Sequence, residues 1–189
     1  MDVDFLTDVF TNKNFRQQLS CYDGSVKVEG SSVKANVFTW TEQDVMAMQI
    51  ENHAVSAGMT HINLRTLRSP LTRRGNHEAK STFEVIGNKI VLVQTFKEDQ
   101  FYCTSAVAIE VVGGDAKASL ANETTARLSI NPELSRFAVL MSSAASFDPR
   151  ENIVEMAIKK LDLAKQKGFD GMYQSNRSWW KKFWEKSFV

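Results

Sequence analysis

The residues best suited to chemistry are few and scattered. Histidines stand at His53, His61 and His77, and no two lie one helical turn apart, the spacing that lets two imidazoles share a metal ion. They are expected at ordinary polar positions, His61 in a strand and the other two near loops. Cys21 and Cys103 are the only cysteines, too few for a zinc cluster or a disulfide scaffold. Two buried free thiols are expected, with a single disulfide as the alternative. No Gly-x-Ser-x-Gly elbow, phosphate loop or dinucleotide fingerprint occurs. Carboxylates are plentiful, yet no pair of them can be placed across a cleft from sequence. A complete small enzyme would need such a pair in a polar pocket. No catalytic residue, metal ligand or cofactor is assigned.

Two segments carry more. The first is basic: Arg65, Arg68, Arg73, Arg74 and His77 fall within thirteen positions that also hold Pro70 and Gly75. Arginine offers a planar donor fork suited to carboxylates or sugar hydroxyls. The segment therefore reads as a solvated loop, or as one reaching a neighbouring domain or an acidic glycan. The second is aromatic, Ser178-Trp-Trp-Lys-Lys-Phe-Trp-Glu-Lys-Ser-Phe-Val. Trp179, Trp180, Phe183 and Trp184 recur at helical spacing, with Lys181, Lys182, Glu185 and Lys186 on the other face. Each such ring can bury roughly 150–250 Å², so the helix needs a substantial surface to cover it. That spacing suits packing better than a sugar platform, and Trp40, in a strand pattern, reads as core.

These segments hang on an ordinary globular chain. Its 189 residues carry 23 Lys+Arg against 22 Asp+Glu, and this near-neutral balance argues against a dedicated nucleic-acid binder. No apolar run approaches the ~18–20 residues of a membrane span. The acidic start, Met1-Asp-Val-Asp, lacks the features of a signal peptide. Leu19, Cys21, Val26 and Val28 alternate around Asp23-Gly24, a strong hairpin signal. Further strands are expected at 33–40, 46–50 and 62–67. After a long polar loop at 68–81, more follow at 82–86, 89–96, 102–112, 115–120, 125–130 and 135–145. About ten short strands separated by turn signals predict a mainly β fold, an antiparallel β-sandwich over residues 1–147. The period then changes. Asp148-Pro149-Arg150-Glu151 predicts a cap, and Val154, Ala157, Leu161 and Ala164 predict an amphipathic helix over 149–167, ended by Gly168. The aromatic segment from Ser178 predicts a second helix, and residues 148–189 together read as a helical linker.

A sandwich followed by a helical linker ending in Trp179-Trp180-x-x-Phe183-Trp184-x-x-Ser187 resembles a known group. It is similar to the N-terminal β-supersandwich region of bacterial glycoside hydrolases whose catalytic domain is an (α/α) six-hairpin barrel. That group includes the α-L-fucosidase-like and maltose-phosphorylase-like families. Residues 15–28 are similar to the group's R-x-L-x-L-x-x-G-x-x-x-V strand pair, and Val37 to Ile50 to its next hairpin. Related enzymes commonly place a histidine before the tryptophan pair, where Asn176 and Arg177 stand here. The resemblance implies catalytic carboxylates in a barrel beyond Val189, so none is carried onto this chain. It implies a non-catalytic domain that supports the barrel, docked through Trp179, Trp180, Phe183 and Trp184, with carbohydrate as the substrate class and a periplasmic or extracellular location. An independent carbohydrate-binding module is the alternative, and exposed aromatics on a sheet face would favour it. Without a barrel, the terminal helix is expected to fold back on the sandwich or to mediate self-association.

Overall fold

The computed structural model describes residues 1–11, 13–53 and 58–186. In chain order its strands are β1 (Asp2–Asp4), β2 (Arg16–Ser20), β3 (Ser25–Glu29), β4 (Val33–Trp40), β5 (Val45–Asn52), β6 (Thr60–Arg65) and β7 (Leu71–Arg74). They continue with β8 (His77–Ile86), β9 (Lys89–Glu98), β10 (Phe101–Val112), β11 (Ala116–Asn122), β12 (Thr125–Ile130) and β13 (Arg136–Ser146). Two helices close the chain, α1 (Ile153–Lys167) and α2 (Phe169–Trp184). The strands form a four-stranded sheet, β1-β6-β12-β11, and a nine-stranded sheet, β2-β3-β4-β5-β13-β10-β9-β8-β7. The expected mainly β sandwich with two C-terminal helices is what the chain builds.

Alternation along the central strands decides the layering. On β10, Ile109 and Val111 meet the small sheet, whose Ile62, Leu64, Leu128 and Ile130 face back at them. Their neighbours Ala106 and Ala108 point the other way, as a pleat requires. That outer face, with Ala47, Leu140 and Ala144, receives Ile153, Ala157, Leu161 and Ala164 of α1. The small alanines let the helix approach closely enough for Ser142 Oγ to donate to the Ala157 carbonyl at 2.7 Å. The result is three layers with the large sheet in the middle, and each buried Ile or Leu is worth about 1.5–3 kcal/mol. Trp40 is core, as its strand position implies.

Several expectations need correction. The segment 68–81 is not a long loop: β7 and β8 pair through it, Arg73 opposite Glu78 and Arg74 opposite His77. The two-residue turn is Gly75-Asn76, with Gly75 at φ +62°. β7 is the edge strand and is exposed along its whole length, so it shows no alternation, and the part of β8 within this segment carries Ala79 as its one apolar residue. Leu67 falls beyond the end of β6 and is exposed. Cys21 sits in an exposed turn, not a strand, while Cys103 is half-buried in β10, and both are free.

α1 starts at Ile153, not at 149. Asp148 is occupied locally: it accepts from the Arg150 backbone at 3.0 Å and from its guanidinium at 2.6 Å. Asn152 caps instead, accepting from the Glu155 amide at 3.2 Å. Gly168 does end α1, at φ +72°, but α2 begins on the next residue rather than at Ser178. Phe169 and Tyr173 hold this early portion by packing on Phe38, at 5.2 and 5.3 Å between ring centroids. Ser187 lies outside the described residues.

In the small sheet, burial and then the nearby Arg127 charge hold His61 below its ordinary pKa of 6.5, with Asp4 opposing. The unfolded chain therefore takes up this proton more readily than the native one. Stability is expected to fall as pH drops below 6.5, and His61→Gln should flatten that limb of a pH series of thermal melts.

Candidate functional site

The terminal helix and the β2–β3 hairpin meet in a dense set of side-chain contacts. The hairpin turn is braced from within, because the Asp23 amide donates to Ser20 Oγ at 3.2 Å. Asp23 then serves α2 twice. Arg177 Nε donates to its carboxylate at 3.0 Å, and Asn176 Nδ2, on a fully buried side chain, donates to its carbonyl at 3.2 Å. Trp184 Nε1 donates to the Cys21 carbonyl at 2.9 Å, and Ser175 bonds to Glu42 in the β4–β5 turn. Gly24 lies against the Trp180 indole: a Cβ there would fall 1.9 Å from Nε1. Its φ of +60° is also one that only glycine adopts freely.

Four rings of α2 form two stacks set nearly at right angles. Trp179 lies parallel to Phe183 at 5.6 Å, and Trp180 nearly parallel to Trp184 at 6.2 Å. Trp179 crosses Trp180 at 83°. The second stack is half-buried in the hairpin cradle. The first remains open, with Trp179 45% and Phe183 44% exposed. A groove of about 430 Å³ runs beside it, lined by Gly24, Thr39, Thr41, Asp44, Trp179 and Trp180. The four aromatic residues expected to act in docking are thus brought together, but split into a seated pair and a free pair.

The basic residues are dispersed. Arg65 is on β6 of the small sheet, paired with Asp2. Arg73 pairs with Glu78 at 2.7 Å and His77 with Glu98 at 3.1 Å. Arg68 follows β6 and lines a shallow hollow over β8, β9 and β10. Among the described residues, Arg68 and Arg74 make no ion pair. His53 sits 4.0 Å from Glu51. No single basic site forms from the five.

Sequence reasoning missed Glu110. It is fully buried on the helix-facing side of β10, 2.8 Å from Lys165 of α1 and 3.5 Å from Lys89, with Asn88 donating to it at 3.2 Å. Its one signal was a lone charge inside the apolar run 106–112. Held by two lysines under a helix, it clamps layers together and offers no open face to a reactant.

Comparison with known proteins agrees with this architecture. The family model "Glycosyl hydrolase family 65, N-terminal domain" matches residues 14–183, which include the whole large sheet and nearly all of both helices. Among solved structures, "Putative kojibiose phosphorylase from human microbiome" superposes with a TM-score of 0.61 at 12% identity, covering 90% of this chain, a likeness of fold. This chain spans 25% of that one. No curated protein matches it. The chain belongs to the glycosyl hydrolase family 65 N-terminal domain family.

Proposed function

We propose that this domain is the non-catalytic sandwich portion of a longer carbohydrate-active enzyme. In that enzyme residues 148–189 link the sandwich to an (α/α) barrel, which docks on α2. The family match carries the reading. The burial of Glu110 beneath α1 and the open Trp179–Phe183 stack support it, since paired aromatics are the usual energetic anchors of an interface. The half-buried Trp180–Trp184 stack and the Asp23 contacts hold α2 on the sandwich and so fix where the open stack points. The structurally similar chain is described as a phosphorylase, so the proposed parent reaction is cleavage of a glycosidic bond by water or by phosphate. The barrel supplies the reacting carboxylates.

The test is capture of the polypeptide that follows residue 189, expressed separately, by the 189-residue domain. Trp179→Ala with Phe183→Ala is expected to weaken capture at least about tenfold, a loss of ~1.4 kcal/mol. The melting temperature should fall less than on removal of a seated ring, because Trp179 and Phe183 are each nearly half-exposed. Undiminished capture would overturn docking through α2.

A further inference from the structure

We infer that the far end of the large sheet, on the face opposite α2, is a binding platform for a linear oligosaccharide. Residues in register on an antiparallel sheet share a face. Cys103 stands opposite Phe96, and Phe101 opposite Glu98, while His77 stands opposite Glu98 and Ala79 opposite Phe96. All lie on the face that further along carries Ile90, Leu92 and Ile109 into the core between the sheets. At this end the small sheet no longer covers that face. Phe101 is 49% exposed and Phe147, just past the end of β13, is 71% exposed.

Four rings cross the strands in sequence there. Phe147 meets Phe101 at 5.8 Å, Phe101 meets Phe96 at 5.9 Å, and Phe96 meets His77 at 6.3 Å. The run spans β8, β9, β10 and the chain leaving β13, three strand spacings or about 15 Å. Beside it lies a hollow of about 200 Å³ that includes Arg68, Thr72, Ser81, Gln94 and Ser105 in its walls. Arg74 is in register with His77.

The mixture selects the occupant. A protein interface gathers apolar side chains at its centre and leaves polar ones to the rim. Here a single file of rings runs alongside hydroxyl, amide and guanidinium groups, with no enclosed apolar centre. A sugar ring is the chemical complement: its C–H face suits the negative face of an aromatic ring, while its edge hydroxyls need the donors and acceptors alongside. His77 already engages Glu98 at 3.1 Å, so among the described residues the charges left unpaired around the hollow and rings include those of Arg68, Arg74 and Lys80, which admits neutral and anionic glycans. The length of the ring run calls for several sugar units rather than one. This platform is separate from α2 and does not depend on the docking proposed there.

The experiment is titration of the 189-residue domain with maltohexaose, cellohexaose and xylohexaose at up to millimolar concentration, followed by calorimetry or amide chemical shifts. At least one is expected to bind saturably, and Phe101→Ala with Phe147→Ala to weaken it about tenfold or more. Both rings are exposed, so the variant should fold; Gln94→Ala with Arg68→Ala, expected to weaken binding several-fold, tests the polar side independently. Trp179→Ala with Phe183→Ala should leave binding intact. Absence of binding to all three sugars would overturn the proposal, as would affinity unchanged in both platform variants. So would sedimentation showing that the wild type is a dimer which Phe101→Ala with Phe147→Ala dissociates, since a second copy would then be the occupant.

Discussion

Replacing Gly24 by leucine is expected to unseat α2 and to destabilise the domain by about 3 kcal/mol, or roughly 6–12 °C in melting temperature. Two costs combine. A non-glycine residue at φ +60° is strained by roughly 1–2 kcal/mol, and the side chain would occupy the space of the Trp180 indole. The indole has little room to yield, since Trp179 crosses it at 5.0 Å and Trp184 stacks beneath at 6.2 Å. Helix and hairpin must therefore separate, breaking the Trp184 bond to the Cys21 carbonyl and the Arg177 and Asn176 bonds to Asp23. Tryptophan fluorescence should shift to the red, and capture of the downstream polypeptide should fail together with the loss of the cradle. Gly24→Ala should show a smaller version of the same effects. A melting point and emission spectrum unchanged in Gly24→Leu would mean that the hairpin does not seat the helix.

Glu110→Ala is expected to cost about 1–3 kcal/mol, from lost charge-assisted hydrogen bonds rather than from a stranded buried charge. It removes the acceptor for Lys165 and Asn88 and opens space between β10 and α1. Lys89 retains an outlet, because Asp162 lies 3.6 Å away, and Lys165 is half-exposed. Glu110→Gln, which keeps the shape and some hydrogen bonding, should therefore cost less than the alanine variant. A pH signature accompanies the pair. Hydrogen bonding from Lys165 to Glu110, and the attraction between their charges, raises the Lys165 pKa above its ordinary 10.5. The native state thus holds this proton more tightly than the unfolded chain. The associated stability is complete below pH 10.5 and is lost as pH rises beyond it. Thermal melts across that range should lose this alkaline limb in Glu110→Gln, and a limb identical in both proteins would assign it to other groups.

What could be read from the sequence was whatever the pleat or the helical turn writes locally. Val26 and Val28 beside Asp23-Gly24 marked a hairpin, and Gly168 the end of α1. The β7–β8 hairpin was illegible because β7, exposed along its whole length at the sheet's edge, shows no alternation, and Arg73, Arg74 and His77 therefore passed for a loop. The first half of α2 was hidden by Gly171 and by polar side chains. Among these Asn176 is buried for its bond to the Asp23 carbonyl, 153 positions away, and no periodicity reveals that. Trp179, Trp180, Phe183 and Trp184 were found as a group, but only tertiary contacts divide them into a seated and an open pair. Likewise, Phe101 and Phe147 are unremarkable in sequence. They become neighbours because β13 pairs with β10 in one particular register.

Sequencing the gene beyond codon 189 is the most direct test of an accessory role. Continuation into a long helix-rich segment that carries its own candidate acid carboxylate, with a second one as base where water is the attacking group, is the predicted result. A stop codon directly after Val189 would contradict it.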